Sequence, residues 1–591
     1  MKIKKLSVAV SAALVVAYLP AHGEDEGLGG APEVKLRGFG TIGVVRSTNS
    51  KTDVMDNLSQ PRGAGYSHKW DFGVDSKLAL QADAKFNNRF SASWQVMSQR
   101  RYDDSYRPHT EMGFAKLQVT PDISVRLGRV PAPLFMVSEF RKVGYVNPWV
   151  RQPNEVYFQV PYTSVDGGDI SYQTSMGDFT ASIQVATGTM TKAIVPSEGY
   201  MNSLRGADGF SSNFIGEYGP VTFRLGYSRT HNSYTGDKLD SLYGGLGKIA
   251  SYGNDVSANT VGAGKFQNNK GMPGIVYSNI YNSVVQGNIV GSDNFQKTLA
   301  ERQAQNPNLS AETLTNIMLT SGDPTISAGL ASAAAGANIS AGTYMAATQK
   351  PGGAALQDGA LKRQADMLYD QYATLKAKGE FIGAGVIIDP GSWLIESEYT
   401  IRKTESFLAD SRGWYITGGY RFGRVMPYVS FSELKVTSRI GADNLVDQYA
   451  LGALQAAGVD CYTNTQYKAA IADDATRKKL CFAPQAVVNS LSTGTDKTVQ
   501  GTSYGQKNVS LGMRWDFLKS AALKLQWDRV DTSDYPRGTM QNYVHTDPAG
   551  NTVLSALGDT VVDPATGTVL KTEFDKSKPV NVFSIAVDFV F

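Results

Sequence analysis

The sequence has 591 residues and is poor in three features that often decide a function. It has only two cysteines, and no histidine lies near them, which argues against a zinc site. Beyond its first 23 residues it has no run of about 18 apolar residues, so the rest of the chain is not predicted to form a membrane-spanning helix. Its 57 basic and 54 acidic residues form no basic run, so nothing favours nucleic acid as a partner.

Residues 1–23 have the layout of a cleaved secretory signal peptide. Three lysines precede the mostly apolar segment 6–19, and Ala21-His22-Gly23 is a small-x-small cleavage site. The apolar segment is shorter than the roughly 20 residues that a spanning helix needs, so export is expected rather than an N-terminal anchor helix, which is the alternative. Removing three lysines and no acids lowers the formal net charge from +3 to zero.

Alternation of apolar and polar residues is the main pattern in the mature chain. In segment 220–230, PVTFRLGYSRT, Val221, Phe223 and Leu225 share one face and Thr222 and Arg224 the other. Segments 178–188 and 508–517 alternate in the same way. Such strands have one apolar and one polar face. The apolar face packs in the core of a soluble sandwich, but it faces lipid in a membrane barrel.

The spacing of these segments favours the membrane barrel. About sixteen of them follow one another, and tight turns such as Gly177-Asp178 and Lys519-Ser520 alternate strictly with longer connections. Outer-membrane barrels have short periplasmic turns and longer external loops, whereas a sandwich has no reason to place its long loops at one end. We therefore predict an all-β fold, a transmembrane antiparallel β-barrel of about 16 strands spanning residues 24–591. A hairpin hidden in residues 273–289 would raise the count to eighteen.

Two connections are too long for ordinary loops. Residues 231–379 include GALKRQADMLYDQYATLKAKG, which has helical composition, so we expect a partly helical external insertion. Residues 438–502 carry both cysteines, Cys461 and Cys481. Export to an oxidising compartment favours a disulfide between them, which would stabilise the chain by roughly 3 kcal/mol on the chain-entropy model.

Two short motifs match enzyme signatures but lack the required context. Residues 38–43, GFGTIG, match G-x-G-x-x-G, yet a dinucleotide turn needs a buried strand before it and a helix after it. Residues 501–505, GTSYG, match the nucleophile elbow, yet an alternating strand follows instead of a helix. We therefore expect no catalytic residue, no enzyme activity, no cofactor and no bound metal.

The last strand carries a resemblance to a known family. In VNVFSIAVDFVF, Phe583, Ile585, Phe589 and the final Phe591 share one face. This resembles the closing strand of a Gram-negative outer-membrane porin, whose terminal phenylalanine is part of the assembly signal. The resemblance covers nearly the whole mature chain in layout. It implies a homotrimer in outer-membrane lipid that conducts small hydrophilic solutes and ions by passive diffusion.

The third long connection, 132–164, is the candidate pore constriction, because in porins the third loop folds into the barrel lumen. Its many aromatic side chains indicate that it packs on something; packing over the barrel mouth or against another subunit is the alternative. The expected constriction residues are Arg126, Arg129, Glu139, Arg141, Lys142, Arg151 and Glu155. The expected pore-wall residues, chosen by lumen-facing parity, are Lys116, Arg224, Glu396, Glu398, Arg402, Arg421, Arg514 and Lys524.

The charges near the third loop suggest a selectivity. Its basic cluster favours a weak preference for anionic or zwitterionic solutes. The alternative is that these charges pair with one another on a water-exposed wall and give no preference. A second hypothesis is a substrate-specific channel for organic anions or phosphate. A third, from another class, is a barrel-anchored surface adhesin or enzyme with residues 231–379 as its working part.

Overall fold

The computed structural model describes residues 32–193, 203–236, 376–438, 501–535, 538–555, 561–562 and 569–591, with isolated residues between 299 and 478. The chain divides into two units. One comprises Met1–Asp240, Ala373–Ile440 and Lys497–Phe591, and the other Ser241–Tyr372 and Gly441–Asp496. The first unit contains every strand described below. The predicted signal peptide, the hairpin at 273–289, nearly all of the helical insertion and the Cys461–Cys481 pair lie outside the described residues.

Sixteen long strands form the first unit. They are β1 (Glu33–Ser47), β2 (Lys77–Lys85), β3 (Phe90–Gln99), β4 (His109–Gln118), β5 (Ile123–Pro131), β6 (Ser164–Met176), β7 (Phe179–Ala193), β8 (Ser203–Tyr218), β9 (Val221–Thr235), β10 (Ala377–Ile388), β11 (Trp393–Thr404), β12 (Asp410–Tyr420), β13 (Val425–Ser438), β14 (Gln506–Leu518), β15 (Ala521–Asp531) and β16 (Val580–Val590). Three short helices, Ser138–Phe140, Gly144–Val146 and Asn154–Tyr157, lie between β5 and β6. Within the described residues, no helix is long and apolar enough to cross a membrane.

The strands form one closed antiparallel ring. Each strand pairs with its neighbour in the chain, and β16 pairs with β1 from Phe39–Val590 to Ser47–Val582. Strands β9 and β10 pair directly with each other although residues 236–376 separate them. The predicted sixteen-stranded barrel is therefore confirmed, and the eighteen-stranded alternative is wrong for this ring. A short strand, Trp70–Asp71, also pairs with β1.

Short turns join the strands at one end of the ring, here called the turn end, and longer segments leave at the opposite, loop end. Gly177, Gly219 and Gly423 lie in these turns with φ of 62°, 54° and 61°. This left-handed conformation costs glycine little because it has no Cβ. Glycine thus permits the sharp reversal of the chain at these three of the predicted tight turns.

Two strand starts differ most from the alternation of the sequence, which predicts them at residues 211 and 70. Strand β8 begins at Ser203, eight residues before the predicted start, because its register shifts between Ala207 and Phe210 and Asp208 has φ of 51°. Such a bulge interrupts the alternation from which strands are predicted. Strand β2 begins at Lys77 rather than 70, because the Asp71 carboxylate accepts hydrogen bonds from the amides of Gly73 and Val74 and turns the chain there.

The outer face of the ring is apolar and the inner face polar. Leu225 and Ile585 are 56% and 44% exposed, whereas their neighbours Arg224 and Ser584 are each 2% exposed and point inward. Exposed aliphatic side chains along successive strands are unfavourable in water and suit contact with lipid. The alternation in the sequence therefore has the orientation of a membrane barrel.

The glycines of the G-x-G-x-x-G segment lie in β1 beside the last strand. The rings of Phe591 and Phe589 cover Gly38 and Gly40, and a Cβ at either glycine would overlap its ring. Gly43 lies on the inner face, where a Cβ would be 3.0 Å from the Cβ of Asp75. These glycines therefore allow the first and last strands to pack closely, and the segment does not form a dinucleotide-binding turn.

Candidate pore constriction

The third long loop, residues 132–163 and here called loop L3, lies inside the ring. The inward-facing Arg224 of β9 donates hydrogen bonds to the carbonyls of Pro133 and Leu134. The indole of Trp149 donates to Thr417 Oγ1 of β12 over 3.0 Å. Lys524 of β15 donates to the carbonyl of Gly144 over 2.6 Å. Because these three strands are well separated around the ring, the loop crosses its interior.

Aromatic packing holds loop L3 against the wall. Trp149 meets Tyr415 edge-on with ring centroids 5.5 Å apart, and Phe135 meets Phe381 at 5.1 Å. Tyr157 packs on Phe135 at 4.8 Å. Buried aromatic pairs in edge-to-face geometry add to the free energy that burial of their area supplies. The aromatic residues that marked this loop in the sequence thus form a hydrophobic core between loop and wall.

Two predicted constriction residues, Arg151 and Glu155, attach the loop to the surrounding structure through buried contacts. Arg151 bonds both carboxylate oxygens of Asp75, at 3.0 and 2.8 Å. Glu155 is fully buried and accepts hydrogen bonds from Ser432 of β13 and Gln506 of β14. Burial raises the pKa of the Glu155 carboxyl. These side chains are satisfied by the wall, so they fix the loop rather than face a solute.

Several predicted wall residues also lie under the loop. Glu398 accepts hydrogen bonds from the amide of Met136 and the hydroxyl of Tyr157, over 3.0 and 3.1 Å. Glu396 accepts one from Tyr415. The remaining partners are as follows: Lys524 pairs with Asp588, Arg402 donates to Gln159 O, and Arg514 donates to Asn147 O and pairs with Asp516. These residues face inward as predicted by parity, but they bind the loop or one another.

The exposed edge of loop L3 faces strands β4 and β5. Arg126 bonds Asp169 and also donates to Glu139 Oε1 over 2.8 Å, and the side chain of Glu139 is 49% exposed. Lys116 lies directly opposite Arg126 in the β4–β5 register. This side of the loop therefore presents charged groups of both signs that solvent can reach.

A small cavity of about 30 Å³ continues from this edge. Gln95, Glu111, Arg141 and Lys142 line it together with Glu139. Burial lowers the pKa of Lys142 to about 8. Within the described residues, no group of three or more His, Cys, Asp or Glu side chains is placed to hold a metal ion.

Two predicted site residues lie elsewhere. Arg129 pairs with Asp166 over 2.6 Å on the opposite face of β5 from Arg126. An odd spacing along a strand places two side chains on opposite faces, so nearness in sequence to loop L3 did not bring Arg129 inward. Arg421 follows the end of β12 and bonds Asp389 at the turn end of the ring.

Sequence reasoning missed Glu111, which bonds Thr163 at the end of loop L3. Glu111 is five residues from the inward-facing Lys116, so parity assigns it to the outer face. The register between β3 and β4 shifts between Gln95 and Val96, which returns Glu111 to the inner face. A bulge of this kind leaves no clear signal in one sequence.

No protein-family model and no curated protein sequence matches the chain. Solved structures similar to it include an anion-selective porin from Comamonas acidovorans, which is 9% identical in sequence. The alignment covers 95% of this chain and 100% of the porin chain, with a TM-score of 0.37. Salmonella typhi OmpF in complex with daunomycin is 9% identical, with 95% and 98% covered and a TM-score of 0.39. The outer membrane channel DcaP of Acinetobacter baumannii is 6% identical, with 97% and 100% covered and a TM-score of 0.37. The barrel assignment rests on the strand pairing of the chain itself.

Proposed function

We propose that the protein is a porin-type channel of a Gram-negative outer membrane, through which small hydrophilic solutes and ions diffuse passively. The observation that carries this proposal is a closed ring of strands, apolar outside and polar inside, with a loop bonded across its interior. A ring with an apolar exterior is one of the few backbone arrangements that suit a bilayer, and a polar interior suits water and ions.

The inner face at the turn end supports a water-filled vestibule. Arg37 of β1 is exposed and lies 3.8 Å from Asp83 of β2. The carboxylate of Asp83 also accepts hydrogen bonds from Gln81 and Ser93. Charged and polar groups that stay exposed inside a ring favour a wet passage over a packed core.

The route for solutes follows strands β3 to β5, where loop L3 presents its charged edge. The rest of the loop is held against β9–β15 by the aromatic contacts, hydrogen bonds and ion pairs described above. On the open side, the charged groups are Lys116, Arg126, Arg141 and Lys142 against Glu111, Glu139 and Asp169, four cations to three carboxylates. This excess of positive charge favours a weak preference for anionic or zwitterionic solutes.

Conductance of the purified protein in a planar bilayer tests the channel. We expect discrete steps in conductance. In a KCl gradient of about tenfold, the reversal potential should have the sign that chloride preference gives. A membrane that shows no steps would contradict the channel itself. Steps with cation selectivity would contradict only the solute preference.

We also propose the homotrimer that the resemblance implies. Chemical cross-linking in detergent, followed by denaturing gel electrophoresis, should give bands of one, two and three chains. A single-chain band at saturating cross-linker would contradict the trimer and leave the channel proposal standing.

A further inference from the structure

A cavity of about 210 Å³ lies at the loop end of strands β3 to β7. It corresponds to the space of roughly seven water molecules at about 30 Å³ each, which suits a small solute. Its ionisable lining residues are Arg100, Arg101, His109, Glu111, Arg129, Tyr102, Tyr162, Asp166 and Lys192. Four cations and two carboxylates thus line one space at the rim of the wall, with Arg129 and Asp166 on the outer face of their strands and Glu111 on the inner face.

Two of the cations are already neutralised by carboxylates. Arg100 donates to Asp71 over 2.9 Å, and Arg129 pairs with Asp166. For Arg101 and Lys192, the described residues offer no carboxylate within 4.0 Å. Among the described lining residues, Arg101 and Lys192 therefore face one remaining carboxylate, that of Glu111, which leaves an excess of one positive charge.

Unsatisfied polar atoms in the same lining indicate a ligand. Nδ1 of His109 is buried and has no hydrogen-bond partner among the described residues, while its Nε2 lies 3.3 Å from Glu111. Nε of Arg100 is also buried without a hydrogen bond to any described residue, with Oδ1 of Asp104 3.7 Å away. A buried donor without a partner is costly, so an oxyanion that enters the cavity gains by accepting a hydrogen bond from Nε of Arg100, whereas Nδ1 of His109 suits a donor such as a hydroxyl group.

We propose that this cavity is an entry site for a small oxyanion, held by Arg101 and Lys192 through the carboxylate or phosphate group of the solute. The inference rests on the proposed channel function and deepens it. The cavity shares Glu111, Thr163 and Ser164 with the smaller cavity beside loop L3. A bound oxyanion is thus held beside the charged edge of loop L3.

Block of single-channel current by added anion tests the site. Inorganic phosphate and acetate would be titrated separately against wild type and the R101A/K192A variant. We expect the concentration for half-maximal block to rise about tenfold or more in the variant, since charge-assisted hydrogen bonds are lost. The anion that shows the larger loss identifies the group preferred by the site.

A matched control removes two cations at exposed positions on β13 and β15. Lys435 and Arg529 are exposed residues near the loop end of those strands, outside the cavity. The K435A/R529A variant should be blocked as wild type is. Equal block of R101A/K192A and wild type, with normal conductance steps in both, would overturn the site alone. Absence of steps in wild type would instead overturn the channel and the site with it.

Discussion

At the scale of single residues, the close packing between the first and last strands depends on two glycines, which have no side chain. Gly38 and Gly40 leave room for two phenylalanine rings on the outer face of β1. The two rings stack on each other with centroids 6.1 Å apart. The rings of Phe589 and Phe591 thus fill the space that side chains on β1 would otherwise occupy.

We predict that Gly38→Val destabilises the barrel by about 1–3 kcal/mol, because the new side chain would overlap the Phe591 ring. The midpoint of urea unfolding in detergent micelles measures the effect. Gly418→Val is the control, since nothing lies within 4 Å of a Cβ at that position. Adding Phe591→Ala to the Gly38 variant should recover part of the loss; equal midpoints for both single variants would contradict this account.

We predict that Lys142 makes the ion selectivity of the proposed channel depend on pH. Burial lowers its pKa to about 8, so the ammonium is charged below that pH and neutral above it. Asp56 and Glu111 nearby favour the charged form, and Arg141 and Lys77 oppose it. The lysine would therefore lose its charge in a range where ordinary lysines, with a pKa of about 10.4, keep theirs.

Chloride preference should accordingly fall as the pH rises from about 7 to about 9, around the pKa of about 8. Reversal potentials recorded along this series in a fixed KCl gradient measure it. Lys142→Met should abolish this pH dependence and show the lower chloride preference at every pH. Should the variant keep the wild-type pH profile, another group is responsible.

At the scale of elements, the strands were predictable and the position of loop L3 was only partly so. Alternation alone placed Leu225 outward and Arg224 inward. It also turned Glu396 and Glu398 inward, but nothing local shows that loop L3 covers them, because the covering residues are over 200 positions away. A bulge concealed Glu111, and a long insertion separates β9 from its partner β10. Long-range contacts and bulges are therefore what one sequence left undetermined.

Trp149 is the side chain that attaches the middle of loop L3 to β12. We predict that Trp149→Ala raises the single-channel conductance, because loss of a buried tryptophan costs about 3–5 kcal/mol of packing and frees the loop from the wall. Thr417→Val is the matched control, since it removes the hydrogen bond of the indole but keeps the ring contact with Tyr415. The Thr417 variant should change the conductance less than the Trp149 variant does. A folded Trp149 variant with wild-type conductance would show that the loop does not depend on this contact.

At the scale of the whole molecule, ring closure joins the first strand of the barrel, β1, to the last, β16. Strand β1 pairs with β2 on one side and with β16 on the other, so every long strand has two neighbours. Closure removes the exposed strand edges that would otherwise carry unpaired amide and carbonyl groups into lipid. The register at this junction therefore decides whether the chain is a closed barrel or an open sheet.

Val44 of β1 lies directly opposite Ile585 of β16, and both face outward. Directly paired strand residues have Cα atoms about 4.5–5.5 Å apart, within disulfide reach, whereas diagonal neighbours are about 7–8 Å apart. In a background with Cys461 and Cys481 changed to serine, Val44→Cys with Ile585→Cys should therefore cross-link on mild oxidation. Val44→Cys with Phe583→Cys, a diagonal pair, should cross-link much more slowly. Non-reducing gels of the unfolded chain separate the looped from the linear form, and efficient linkage of the diagonal pair alone would mean that the barrel closes in a different register.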